Sequence, residues 1–170
     1  VLGWNADSVA RNYNYIHRFS QAVHSAAEQS GVGVSWHMAP AEVSFSEQVD
    51  EQKGSAADAR TGFILASGLP GGMRALIGAD LLPGKDVDVV GLCTESEAED
   101  QAVPLTAVST QPRDVSRRVA AQLFGLIEQG VSAEAGVDLV PARLTRRAST
   151  RSPARDSRDV PSGGVAALSV

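Results

Sequence analysis

Short apolar runs alternate along this chain with longer stretches whose apolar residues recur at helical spacing, and that alternation leaves few architectures open. Val1-Leu2-Gly3-Trp4, residues 32–38, Phe63-Ile64-Leu65-Ala66, Asp88-Val89-Val90-Gly91 and Pro104-Leu105-Thr106-Ala107-Val108 read as strands. Between them, residues 12–29 place Ile16, Phe19, Val23, Ala26 and Ala27 on one helical face, with Gly31 as the stop. Residues 43–59 read as a more polar helix, and residues 70–79 as a helix with a proline in its first turn. A strand followed by a helix and another strand makes neighbouring strands parallel, because a parallel pair needs a crossover of helix length. The expected fold is therefore α/β, a mostly parallel sheet flanked by helices, with binding sites beyond the C-terminal ends of the strands.

The strongest helix begins near Pro112. Thr110 is placed to cap it, Asp114 sits in its first turn, and Val115, Val119, Leu123, Leu126 and Ile127 form one stripe that Gly130 terminates. Such a stripe must be buried against something. After it, residues 139–150 read as terminal strand material, and the chain beyond Thr150 is rich in Arg, Ser, Pro and Gly. That composition holds too little apolar surface to offset its ordering entropy, so residues 151–170 are expected to be a disordered tail.

Composition narrows the functional classes. At 170 residues and 43% hydrophobic the chain suits one core-bearing domain. No apolar run approaches the roughly 20 residues of a membrane span, and no charged-then-apolar leader opens the chain, so a cytoplasmic protein with no membrane partner is expected. Cys93 is the single cysteine, which rules out an intrachain disulfide and a thiolate metal cluster. Residues 141–170 carry six arginines against two aspartates, a local +4 within an overall −5, so the first 140 positions hold −9. An acidic body repels phosphate, and direct DNA binding by it is not expected.

In order and spacing, Asp88-Val89-Val90-Gly91, then Pro104-Leu105-Thr106, then the Ala-bearing helix, then Leu139-Val140-Pro141 and Arg147-Ala148-Ser149-Thr150 resemble the C-terminal part of the lac repressor family of bacterial transcriptional regulators. The resemblance covers roughly residues 1–150. It implies the C-terminal lobe of a two-lobed, periplasmic-binding-protein-like sensor, with the N-terminal lobe incomplete and the helix over residues 112–129 packing on that other lobe. On this reading the 170 residues are a fragment, and the stripe from Val115 to Ile127 is under-buried within them. The resemblance further implies a homodimer that binds a small-molecule effector between its lobes. Operator DNA would be reached only through a helix-turn-helix not present in this sequence. No cofactor or metal is implied. The expected alternatives are a periplasmic sugar-binding protein of a transporter, marked by a secretion signal, and a small α/β enzyme.

The same resemblance names the effector-facing positions. Arg18 matches the arginine whose planar guanidinium reaches into the family's cleft, suited to hydroxyls or a carboxylate, although Gln21 and Ala22 stand where the family has Gly and Phe. Ser67 follows the strand that in the family ends in Asn-Asp. Cys93 and Thr94 follow Val90-Gly91-Leu92, where the family carries an aspartate. An ionised carboxylate accepts charge-assisted bonds from vicinal hydroxyls in a way that neither a thiol nor a neutral hydroxyl reproduces, so the expectation is that a simple sugar is not the effector or that effector binding has decayed.

Other motifs carry less. Gly33-Val34-Ser35-Trp36-His37 lacks the second glycine of a nucleophile elbow. His17 and His24 are too widely spaced for a helical zinc pair. Gly31-x-Gly33 and Leu69-Pro70-Gly71-Gly72 lack the rest of a dinucleotide or phosphate-loop signature. Arg146-Arg147-Ala148-Ser149 has the form of a basic phosphorylation motif but already belongs to the terminal strand. Glu95, Glu97, Glu99 and Asp100 read as a solvated loop, with cation binding as the alternative.

Overall fold

The computed structural model describes residues 2–3, 14–38, 45–47, 49–50, 61–129 and 138–151. The expected rhythm is present as β1 (Leu2–Gly3), α1 (Asn14–Ser30), β2 (His37–Met38), β3 (Gly62–Leu65), α2 (Leu69–Gly78), β4 (Asp88–Leu92), α3 (Glu95–Glu99), β5 (Thr106–Ser109), α4 (Pro112–Gln129) and β6 (Arg143–Thr145). The strands form one sheet in the order β2-β1-β3-β4-β5-β6, parallel throughout except for β6, which runs antiparallel to β5. The order reverses at β1 and β3, where crossovers leave the sheet in opposite directions. In open α/β sheets the C-terminal edge at such a reversal is where ligand crevices form.

Burial follows the pleat. Phe63 and Leu65 on β3 and Val89 on β4 are buried, while Ile64, Val90 and Leu92, which point to the opposite face, are half-buried. The buried side packs on Met73, Leu76 and Ala79 of the α2 region and on Ala98 of α3, with Leu105 and Ala107 from the β5 segment closing one core. A smaller cluster on the α1 side joins Ile16 and Phe19 to Ala66 and Trp36. α1 ends as expected at Gly31, whose φ of +65° lets Val32 N–H reach Ala27 O at 2.9 Å and Gly31 N–H reach Glu28 O at 3.2 Å. This paired closure satisfies two carbonyls that the helix would otherwise leave open.

Three local expectations need correction. Residues 32–36 are irregular and only His37–Met38 pairs as a strand, because β2 lies at the sheet edge and has β1, itself two residues long, as its one partner. The acidic run is a helix, not a loop: Thr94 and Glu97 form a reciprocal capping box that starts α3. Thr110 does not cap α4. Gln111, with φ +52°, supplies the carbonyl that accepts from Asp114 N–H at 3.0 Å and Val115 N–H at 3.1 Å. Of the expected polar helix over residues 43–59, only residues 45–47 and 49–50 are described, and these are helical.

The C-terminal segment stitches the sheet together from below. Ser149 is fully buried; its Oγ donates to Val89 O at 2.6 Å and accepts from Thr106 N–H at 2.8 Å, while Val89 N–H donates to Ser149 O at 2.8 Å. One serine thus satisfies three backbone groups near the N-terminal ends of β4 and β5, where the strands have run out of ladder partners. Thr150 and Thr106 hydroxyls meet at 2.8 Å, and Arg151 Nη2 donates to Asp88 at 2.8 Å. Arg151, the first residue of the expected disordered tail, is therefore held in place; residues 152–170 lie outside the described residues.

α4 behaves differently. Val119, Leu123, Phe124 and Ile127 are 58%, 54%, 62% and 69% exposed, so the apolar stripe read from the sequence lies open.

Candidate functional site

Parallel pairing brings three of the four sequence-derived candidates to one edge. Leu65 pairs with Gly91, so Ser67 and Cys93 each stand two residues past matched positions on adjacent strands, and Thr94 follows Cys93. Adjacent strands are about 4.8 Å apart, which puts these side chains within reach of one small ligand. Close approach here depends on Gly91: a Cβ at this buried position would run into Leu105 and Leu69. Arg18 lies exposed early in α1, two residues after Ile16, which packs in the cluster containing Ala66, the residue before Ser67.

Chemistry at this edge differs from what residue types alone suggest. Cys93 is half-buried, and burial, followed by the negative charge of Glu97, pushes its thiol above the ordinary cysteine range. It is a neutral, weak hydrogen-bonding group and a poor nucleophile. Thr94 is occupied locally: its hydroxyl donates to Glu97 Oε2 at 2.7 Å and accepts from Glu97 N–H at 3.3 Å, and its backbone N–H donates to the same carboxylate at 2.9 Å. Those bonds hold the Glu97 carboxyl below its usual range. A ligand would have to open the capping box to accept the Thr94 hydroxyl proton, which is committed to Glu97.

A cleft of about 550 Å³ continues this edge toward β6, and Thr94, Glu95, Ser109, Gln111, Arg113 and Arg143 are among its lining residues. Sequence reasoning missed its organisation. Arg147, half-buried, donates to Glu95 and, at 3.2 Å, to Glu99, so the acidic run meets a guanidinium from within the protein. Glu95 also accepts from the Thr145 hydroxyl at 2.8 Å; the bond to Arg147, then that to Thr145, holds its carboxyl below the ordinary range. Among the described residues no group of three or more potential metal ligands occurs. Gln111 Nε2 donates to Pro141 O at 2.6 Å, and Arg118 donates to Asp138 at 2.8 Å, tying the segment that leaves β5 to the one that returns to β6.

A sheet of this order, with polar side chains gathered at its C-terminal edge, is that of an open α/β domain, a class whose sites lie at that edge. The chain belongs to the periplasmic binding protein-like domain family, which matches residues 2–150. Among curated proteins none matches. Solved structures with this fold include a LacI family transcriptional regulator from Bifidobacterium animalis subsp. lactis, at 17% identity and TM-score 0.69, covering 90% of this chain and 55% of its own. Another, from Enterococcus faecium with bound ribose, has 20% identity and TM-score 0.66, with coverages of 88% and 55%. The lac repressor dimer bound to operator and the anti-inducer ONPF aligns at 22% identity and TM-score 0.59, over 76% of this chain and 46% of that one. The chain thus spans about half the length of these relatives. None of the helices among the described residues is long and apolar enough to cross a membrane.

Proposed function

We propose that this chain is the ligand-sensing core of a cytoplasmic transcriptional regulator of the lac repressor type, and not an enzyme. It takes a small effector at the C-terminal edge formed by Arg18, Ser67, Cys93 and Thr94. The observation that carries this reading is the family match over residues 2–150 on a sheet whose order reverses at β1 and β3, the second of which leads into Ser67. Operator binding belongs to a DNA-reading domain outside these 170 residues, and the working unit is a homodimer. The stripe on α4 packs on the other lobe of the sensor. Occupancy is transmitted through the two segments joined by Gln111–Pro141 and Arg118–Asp138, which move together when the lobes close. A ligand biases such an equilibrium only by the difference in its affinity for the two states.

The effector is not an unmodified aldose, since Cys93 and Thr94 offer no carboxylate to paired hydroxyls. Titration calorimetry against ribose, glucose and galactose is expected to register no heat of binding, and Cys93→Asp is expected to gain affinity for one of them. Micromolar binding of an unmodified aldose to the wild-type chain would defeat the ligand assignment. The regulator assignment is tested separately, by gel shift of the native gene product on its own upstream DNA, with loss of a retarded band as the adverse result.

A further inference from the structure

His24 and Trp36 meet on the α1 side of the sheet, away from the strand edge described above. Trp36 Nε1 lies 2.6 Å from His24 Nε2, with ring centroids 5.5 Å apart and the planes tilted by 41°. An indole N–H is only a donor, so the imidazole nitrogen facing it is the acceptor and carries no proton. Protonation of the ring puts N–H on both nitrogens and turns the contact into two opposed donors. The pair therefore exists in one protonation state of His24 and not in the other.

Its position gives it leverage. His24 stands near the middle of α1, and Trp36 ends the segment that leads from α1 into β2. The indole also packs edge-on against Phe19, at 6.3 Å between centroids and 82°, and belongs to the cluster that contains Ile16 and Ala66. Ile16 and Phe19 flank Arg18 on α1, and Ala66 precedes Ser67. The bond thus fastens α1, which carries Arg18, to the segment entering β2, and the same indole packs in the cluster that includes Ala66, the residue before Ser67.

We propose that His24 and Trp36 form a proton-operated latch on the crossover from α1 to β2, closed while the imidazole is neutral and released when it is protonated. Release frees the indole from its fixed angle and loosens its packing on Phe19 and on the cluster that contains Ile16 and Ala66. The consequence for ligand occupancy rests on the reading of that edge given above; the latch itself rests on the donor and acceptor geometry alone. Among the described residues, Glu28 lies one turn further along α1 and His17 two turns back on the same helix face. Neither the segment over residues 31–36 nor β3 contributes a titratable side chain.

In the full chain, Trp4→Phe leaves Trp36 as the single indole. Its N–H resonance and the acrylamide quenching of its emission are followed from about pH 8 to about pH 5, the window in which histidines change charge. The expected result is loss of a downfield, hydrogen-bonded indole signal and a rise in quenching, both with one transition. His24→Gln, whose side-chain carbonyl accepts from the indole but does not titrate, abolishes the transition, and His17→Gln retains it. A transition that survives His24→Gln, or an indole signal constant across the range in the Trp4→Phe protein, overturns the latch. Should His24→Gln fail to fold, imidazole nitrogen shifts in the otherwise unaltered chain decide, and a proton resident on Nε2 at high pH overturns it equally. Failure of every effector to bind would defeat the functional reading and leave this transition in place, so the two failures are distinguishable.

Discussion

α2 and α4 are both amphipathic, yet only one of them is buried. α2 is ten residues long and sinks Met73 and Leu76 into the sheet, whereas α4, at 18 residues and with the more regular stripe, leaves Val119, Leu123, Phe124 and Ile127 largely open. Apolar periodicity therefore reports a demand for burial and says nothing about where the covering surface comes from. α2 finds its cover because the crossover from β3 to β4 lays it on the sheet that flanks it. α4 leaves the sheet at β5, and among the described residues the chain that follows it adds only the antiparallel β6 to the sheet.

That contrast can be broken most directly by matched truncations. Leu76→Ala, at a fully buried position, is expected to cost about 2–5 kcal/mol in urea denaturation, while Leu123→Ala on α4 changes stability by no more than about 0.5 kcal/mol. Equal losses would mean that α4 is buried in solution and the distinction is void. Ser149→Ala comes next, at about 1–3 kcal/mol, because it orphans the Thr106 N–H and the Val89 carbonyl in the interior. Ser116→Ala, on exposed α4, serves as its neutral counterpart.

Two smaller effects sharpen the comparison. The open stripe is expected to bind a hydrophobic dye at neutral pH, and Val119→Lys together with Leu123→Lys to abolish that binding while leaving the denaturation midpoint nearly unchanged; dye binding that persists would locate the apolar surface elsewhere. The smallest effect is electrostatic. Arg147 holds the Glu95 carboxyl below its ordinary range, so the stability this pairing contributes is complete above the unfolded carboxyl value of about 4.3 and fades as pH falls through the lower folded value. Arg147→Met is expected to raise the Glu95 midpoint in a carboxyl-resolved NMR titration, and an unchanged midpoint would remove Arg147 as the cause.

The strands from β3 to β5 were legible because buried parallel strands are short, apolar and separated by helix-length segments, and Phe63, Leu65 and Val89 satisfy that pattern locally. α3 was hidden by composition: four acidic residues in six positions look like solvent-facing loop, although Thr94 and Glu97 carry the spacing of a capping box. The pairing of Arg147 with Glu95 joins residues 52 apart in sequence and leaves no periodic trace in either neighbourhood. Ser67, Cys93 and Thr94 could be placed on one edge from strand order, but the commitment of the Thr94 hydroxyl to Glu97 became visible only in three dimensions. Gln111 displaced Thr110 as the cap because its left-handed backbone turns its carbonyl onto the helix.

The stitching by Ser149 and Arg151 also sets a timetable. Ser149 meets Val89 across 60 residues and Arg151 meets Asp88 across 63, so the base of the sheet is secured by the last residues described. At synthesis rates of roughly 5–20 residues per second, β4 waits about 3–12 s after leaving the ribosome before its partner exists. During that interval the buried carbonyl of Val89 and the amide of Thr106 face solvent, and β4 and β5 present ends able to pair wrongly. Closure of the sheet base thus lags the synthesis of β4 by that interval, and the nascent chain is most exposed to wrong pairing just before Ser149 and Arg151 emerge.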